Sequence, residues 1–192
     1  MEIYLIRHTT PDIEKGICYG QSDIDVTTTF ETEVKQIHSI IGKTDASKIY
    51  SSPLQRCMKL AKTFGSPVHY MDHLKELDFG DWELKPWNEI PPSELNPWME
   101  NFVHIAPPNG ESYQTLQQRA ISCFNMIMAE IAQSSILITH AGTIRALLAH
   151  LLGIALKDSF QIKLKYGQVI KLQYKDHAFK ILEGLTLEKI QS

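Results

Sequence analysis

Short apolar runs alternate along this chain with stretches in which apolar side chains return once per helical turn. Ile3-Tyr4-Leu5-Ile6 predicts a strand covered on both faces, as in a parallel sheet. Beginning at Thr27 or Thr28, the positions of Phe30, Val34, Ile37 and Ile41 predict a helix that Gly42 stops. Lys48-Ile49-Tyr50-Ser51 reads as a second strand. Ser52-Pro53 then supplies a capping hydroxyl and a proline for the first helical position, with Leu54, Met58, Ala61 and Phe64 on the apolar face and Arg56 in the first turn. Gly65-Ser66-Pro67 ends that helix, and Val68-His69-Tyr70 is a third, short strand. From Ser112, the positions of Leu116, Ala120, Cys123 or Phe124, Ile127 and Ile131 mark a long helix. Ser135 to Thr139 is a buried strand ending at His140, and Ala141-Gly142 opens a helix with Ile144, Leu147, Leu148, Leu151 and Leu152 inward before Gly153. Gln168 to Lys175 and Ala178 to Leu182, flanking Asp176-His177, resemble a strand, a turn and another strand segment.

Such an alternation predicts an α/β fold, a three-layer α/β/α sandwich around a mostly parallel sheet, with the tail supplying one antiparallel edge strand. Two stretches depart from it. Thr10 to Asp25, with Gly16, Gly20, Asp23 and Asp25, has the composition of an ordered loop bordering a site. Lys75 to Gly110 is crowded with Phe79, Trp82, Trp87, Trp98, Phe102 and prolines at 86, 91, 92, 97, 107 and 108. An excursion of that length inside a compact domain is usually a lid or binding loop.

At 192 residues, 43% hydrophobic and 21% charged, the chain can bury a substantial core as a single domain over 1–192, with the excursion at about 75–110. A formal net charge of −3 argues against a general binder of nucleic acid or of anionic membranes, which needs a basic face. Any anion site is therefore local. Cys18, Cys57 and Cys123 are widely spaced and form no C-x-x-C pair, so neither a disulfide framework nor a zinc ribbon is expected, and a reducing cytoplasm is the simplest home. The first apolar run meets Arg7 too soon for an export signal, and Arg145 and His150 interrupt the apolar stretch from Ile144 to Leu156, so no membrane span is expected. The oligomeric state is not legible.

Three strand-to-helix junctions carry candidate chemistry: Arg7 with His8, Arg56, and His140. Each alone reads more simply as solvated surface or as a hydrogen-bonded residue under a loop. Their joint placement at the carboxyl ends of strands, where α/β sheets collect ligands, changes that. An arginine fork matches phosphate oxygens, and a neutral imidazole is a nucleophile. Two forks and a histidine can hold the equatorial oxygens of a transferring phosphoryl group without Mg²⁺. Arg7 and Arg56 also disfavour a second cation on His8, which must be neutral to attack. His69 and His73 have zinc-helix spacing, but Pro67 and the Val68-His69-Tyr70 pattern argue against a helix there, so no metal and no cofactor is expected.

Leu5-Ile6-Arg7-His8, Ser51-Ser52-Pro53-Leu54-Gln55-Arg56, Leu74-Lys75-Glu76-Leu77-Asp78-Phe79-Gly80-Asp81-Trp82-Glu83 and Thr139-His140-Ala141-Gly142 resemble, in order and spacing, the signatures of the histidine phosphatase, or phosphoglycerate mutase-like, superfamily. Gly16-Ile17-Cys18-Tyr19-Gly20, Pro108-Asn109-Gly110-Glu111-Ser112 and Arg145-Ala146-Leu147-Leu148 look like its α-ribazole phosphatase branch, which acts late in cobalamin assembly. The resemblance implies that His8 is a phosphorylated nucleophile, that Arg7, Arg56 and His140 bind the phosphoryl group, and that Glu76 is the proton donor. It also implies a small-molecule phosphate monoester as the partner, α-ribazole 5'-phosphate, with Trp82, Trp98 or Phe102 beside its dimethylbenzimidazole ring. The chain departs from the family at Thr9-Thr10, where glycine then glutamate is usual, so Thr9 brings either a hydroxyl donor or added bulk to the phosphate site. An asparagine usual a few residues later has no counterpart, Asp25 to Glu31 lacks the leucine-threonine-x-x-glycine run, and Leu84 replaces a frequent glycine. The alternatives are a cofactor-dependent phosphoglycerate mutase, a broad-specificity sugar phosphatase and a non-catalytic binder of phosphorylated ligands. Mutases of the superfamily are typically longer, and a binder could dispense with His8 or Glu76.

Overall fold

The computed structural model describes residues 1–42, 44, 46, 48–130, 133–176 and 178–185; Ile131 and His177 of the sequence reading lie outside these. A six-stranded sheet is built from β1 (Glu2–Arg7), β2 (Lys48–Ser51), β3 (Val68–Tyr70), β4 (Ser135–Thr139), β5 (Val169–Lys175) and β6 (Ala178–Glu183), in the order β3-β2-β4-β1-β5-β6. β1 to β4 are mutually parallel, whereas β5 runs antiparallel to β1 and to β6. The tail thus forms a hairpin whose antiparallel strand lies inside the sheet, not at its edge. The edge position goes to β6 because β5 is the strand with buried Val169, Ile170 and Leu172 to pack beside β1.

Alternation along β1 shows why the sheet needs cover on both sides. Ile3 and Leu5 pack against α4 (Tyr113–Glu130) and α5 (Ala141–Leu152) through Ala120, Phe124, Ile144 and Leu147. Tyr4 and Ile6 face α1 (Phe30–Ile41) and α2 (Gln55–Lys62) through Val34, Ile37, Leu60 and Ala61. Side chains on successive strand residues point to opposite faces, so one apolar run serves both cores.

The second helix starts later than Ser52-Pro53 predicts. Leu54 is still extended, at φ −69° and ψ 136°, and α2 begins at Gln55. The Ser52 hydroxyl accepts the Leu54 N–H at 3.3 Å and also lies 2.8 Å from His140 Nε2, so it caps a turn and meets the site instead of capping the helix. Arg56 remains in the first turn. Ser112 does cap α4, its Oγ accepting the Thr115 N–H at 3.1 Å.

After a 3-10 turn at Asp72–Leu74, the aromatic excursion folds as two more such turns (Gly80–Trp82, Trp87–Glu89) and α3 (Pro92–Glu100). A further 3-10 stretch that the periodicity does not announce, Leu156–Gln161, leads from α5 toward β5 and carries Phe160. These segments roof the carboxyl ends of the parallel strands. Central strands β2, β4 and β1 are neighbours, so their successors arrive side by side. The His8 N–H donates to Thr139 O at 3.0 Å and the Ser52 N–H to Ile138 O at 2.9 Å, each extending a ladder one step past the strand.

Candidate active site

Arg7, His8, Arg56, Glu76 and His140, from four separate stretches of the sequence, line one cavity of about 440 Å³ at these strand ends. His8 is 2% exposed, and its Nδ1 lies 2.7 Å from the Thr9 carbonyl. A carbonyl only accepts, so Nδ1 carries the proton and Nε2 keeps its lone pair. Burial first, then the Arg56 and Arg7 charges, hold the His8 pKa well below its usual value against an opposing push from the Thr9 carbonyl. His140, its ring 5.0 Å from that of His8, is depressed in the same way by burial, then Arg56, then His8. Its Nε2 stands 2.8 Å from Ser52 Oγ and 3.5 Å from Cys57 Sγ.

Both arginines are tied down by backbone carbonyls. Arg7 Nη1 donates to Leu164 O at 2.8 Å, and its guanidinium lies 3.7 Å over the Tyr166 ring. Arg56 is fully buried, donating from Nη1 to Ser22 O at 2.7 Å and from Nη2 to Gly20 O at 2.5 Å. Neither Nε–H has an acceptor among the described residues. Those two carbonyls are presented by a loop that Glu83 organises. Its carboxylate accepts the N–H groups of Gly20 (3.0 Å), Gln21 (2.8 Å), Ser22 (3.1 Å) and Phe79 (3.2 Å), and the Ser22 hydroxyl at 2.5 Å. Burial pushes the Glu83 pKa up, but the hydrogen bonds outweigh it and leave it below the usual carboxylate value. Position 20 has to be glycine, since a Cβ there would lie 1.8 Å from Leu77 O. Tyr19, on this loop, meets Tyr166 hydroxyl to hydroxyl at 2.8 Å beside the cavity.

Glu76 sits opposite, its Oε2 accepting the Gly142 N–H of α5 at 2.9 Å and its Oε1 the Leu77 N–H at 3.0 Å. A helix N-terminus is a natural seat for a carboxylate. Gly142 admits it, because a Cβ there would come within 2.3 Å of Oε1. Beyond Glu76 the cavity wall turns aromatic, with Phe79, Trp87, Trp98, Phe102, Tyr113 and Phe160, and Arg145 stands among them, 5.2 Å over Phe160. Arg145 Nε donates to Ile162 O at 2.9 Å, and among the described residues no carboxylate pairs with it. Burial lowers its pKa from the usual arginine value.

The family model described as Histidine phosphatase superfamily (branch 1) matches residues 3–184. The chain belongs to that superfamily. Relatives of the chain are named phosphatases, and this chain is an enzyme of that class. A protein of Hydrogenobacter thermophilus provisionally named phosphoserine phosphatase 2 is 29% identical over 179 residues, 88% of each chain. The adenosylcobalamin/alpha-ribazole phosphatase of Escherichia coli is 25% identical over 87% of each. An alpha-ribazole phosphatase structure from Shigella flexneri superposes with a TM-score of 0.88 at 22% identity, covering 96% of both chains, which shows a shared fold. Among the described residues no helix is long and apolar enough to cross a membrane.

Two positions expected at the substrate lie elsewhere in this histidine phosphatase. Trp82 is 1% exposed, packs with Cys18 and Ile90, and donates from Nε1 to Glu94 Oε2 at 2.9 Å, so it is core and does not line the cavity. Thr9 is also fully buried and off the cavity wall. Its carbonyl, which orients His8, serves the site, whereas its hydroxyl has no hydrogen-bond partner among the described residues. Trp98 and Phe102 do line the cavity; Phe79, Trp87, Tyr113, Phe160, Tyr19 and Arg145, which the sequence pattern does not mark as wall residues, join them. His69 lies on β3 and His73 in the turn after it, not on one helix.

The two buried histidines set a pH dependence for folding. Each is held neutral in the fold and titrates near pH 6.5 when unfolded, so the unfolded chain binds more protons at acid pH. Stability is expected to be full above about pH 6.5 and to fall below it by up to ~1.4 kcal/mol per pH unit for each histidine. Urea titrations at a series of pH values check this. His140→Gln should flatten the slope; an unchanged slope would contradict the assignment.

Proposed function

We propose that the chain, as a single domain, hydrolyses a phosphate monoester through a phosphohistidine on His8, with α-ribazole 5'-phosphate as substrate. The Nε2 lone pair attacks phosphorus while the bond to the ester oxygen breaks, and Glu76 passes a proton to that oxygen. Arg7, Arg56 and His140 face the equatorial oxygens, where fixed donors stabilise developing charge in a water-poor site. The unpartnered buried Nε–H groups of Arg7 and Arg56 support this, since a buried donor without an acceptor is costly and a phosphoryl oxygen relieves it. Water then attacks phosphorus, the N–P bond breaks, and Glu76 takes up the water's proton. Three free, buried cysteines fit a reducing compartment such as the cytoplasm.

The observation that carries the substrate is the continuity of the cavity from His8 to the aromatic wall. Phe79, Trp87, Trp98 and Phe102 suit a flat ring such as dimethylbenzimidazole. The buried Trp98 Nε1–H, also without an acceptor among the described residues, suits a ring nitrogen. Arg145 favours a second reading, in which the leaving group carries a carboxylate, as phosphoserine does. Phosphate release from α-ribazole 5'-phosphate, phosphoserine, 3-phosphoglycerate and sugar phosphates separates the two. The first reading expects α-ribazole 5'-phosphate to have the highest kcat/KM, by on the order of tenfold or more, since a ring filling an apolar pocket is worth at least that. Preference for phosphoserine, lost in Arg145→Gln, would replace it with the second.

A further inference from the structure

Glu76 lies in an irregular segment between two 3-10 turns, where no helix or strand fixes its backbone. A largely buried pair, Arg119 on α4 and Glu111 just before that helix, does. Arg119 of α4 donates from Nη1 to His73 O and Lys75 O, both at 2.9 Å, and from Nη2 to Glu76 O at 2.8 Å. Glu111 holds that guanidinium as a fork, with Nη2 to Oε1 at 2.5 Å and Nε to Oε2 at 3.0 Å. Glu111 also grips the segment on the far side of Glu76: its Oε1 accepts the Asp78 N–H at 3.1 Å, and its own N–H donates to Asp78 O at 3.0 Å. The two side chains are 16% and 13% exposed, so solvent screens them little. We propose that Arg119 and Glu111 are positioning residues that set where the Glu76 carboxyl group meets the leaving oxygen. The proposal rests on the reading of Glu76 as proton donor.

Lysine cannot replace Arg119, because one ammonium cannot pair as a fork with Glu111 and also span three carbonyls. Neither residue lines the catalytic cavity, so loss of the pair should displace Glu76 and leave the cationic end intact. Misplacement of a reacting group by about 1 Å costs on the order of a hundredfold.

The test compares esters that differ in their need for an acid. A ribose or serine alkoxide leaves poorly without a proton, whereas nitrophenolate leaves well unaided. The phosphorylation step is measured by rapid quench for wild type, Glu76→Gln, Arg119→Met and Glu111→Gln, on p-nitrophenyl phosphate and on whichever of α-ribazole 5'-phosphate and phosphoserine the wild type prefers. Arg119→Met should slow the alkyl ester on the order of tenfold to a hundredfold and p-nitrophenyl phosphate by no more than about twofold. Glu111→Gln should do the same more mildly, and it carries the test if Arg119→Met fails to fold. In the double variant, Arg119→Met should add nothing to Glu76→Gln on the alkyl ester. Equal losses on both esters, or additive losses in the double variant, would make the pair merely structural and overturn the proposal. If Glu76→Gln itself fails to separate the esters, the reading of Glu76 as the acid falls first and the proposal falls with it.

Discussion

Replacing His8 with alanine is expected to end turnover, with a loss on the order of a thousandfold or more, because among the described residues lining the cavity no other group is placed to take the proposed phosphoryl group. Its Nδ1 proton is fixed on the Thr9 carbonyl, and burial with two arginines keeps the ring neutral, so in the proposed reaction Nε2 needs no separate base to attack. His140 cannot substitute, since its Nε2 is already engaged with Ser52 and its ring is offset from that of His8. Phosphate release at high enzyme concentration measures the effect. Turnover within tenfold of wild type would mean that the reaction does not pass through His8.

Arg56 should be the next most sensitive position, because one guanidinium both fastens the loop at Gly20 and Ser22 and lines the cavity where the proposed phosphoryl group would sit. Arg56→Ala is expected to lower kcat/KM on the order of a thousandfold, the scale of losing a fixed donor at developing charge. Arg56→Lys should still lose on the order of tenfold or more, since a point charge cannot make the paired contacts. The arginine is also the largest charge holding the His8 pKa down, so either sign of failure is visible by NMR. In Arg56→Ala the His8 pKa should rise toward its ordinary value. An unmoved His8 titration together with near-normal activity would place Arg56 outside the site.

Much of the fold was legible because strands that must be covered on both faces leave unbroken apolar runs, as β1 and β4 do, and each run ends in a polar residue that no core position explains. Arg7, His8 and His140 stand out for that reason, and Arg56 because it falls in the first turn of the helix that Ser52-Pro53 announces. What could not be read was set by contacts distant in sequence. Sequence alone makes the Ser52 hydroxyl a helix cap, but His140, brought alongside by the order of β2 and β4, engages it. The tryptophans of the excursion share composition without periodicity, so only packing decides that Trp82 goes inward beside Cys18 while Trp87 and Trp98 face the cavity. Glu83 and Arg119 act on backbone groups of remote loops, and such pairings leave no spacing in the sequence. The tail's pattern predicts two strand segments, yet nothing in it says that the inner one pairs with β1.

The central claim, a covalent phosphoryl group on His8, is tested most directly by mixing enzyme with phosphate-labelled substrate, quenching in alkali within milliseconds and mapping the label. A phosphohistidine survives alkali and is lost in acid. The account predicts label on the peptide containing His8, formed and decaying fast enough to carry turnover. Label on another residue, or turnover with no protein-bound phosphate at any time, would contradict it.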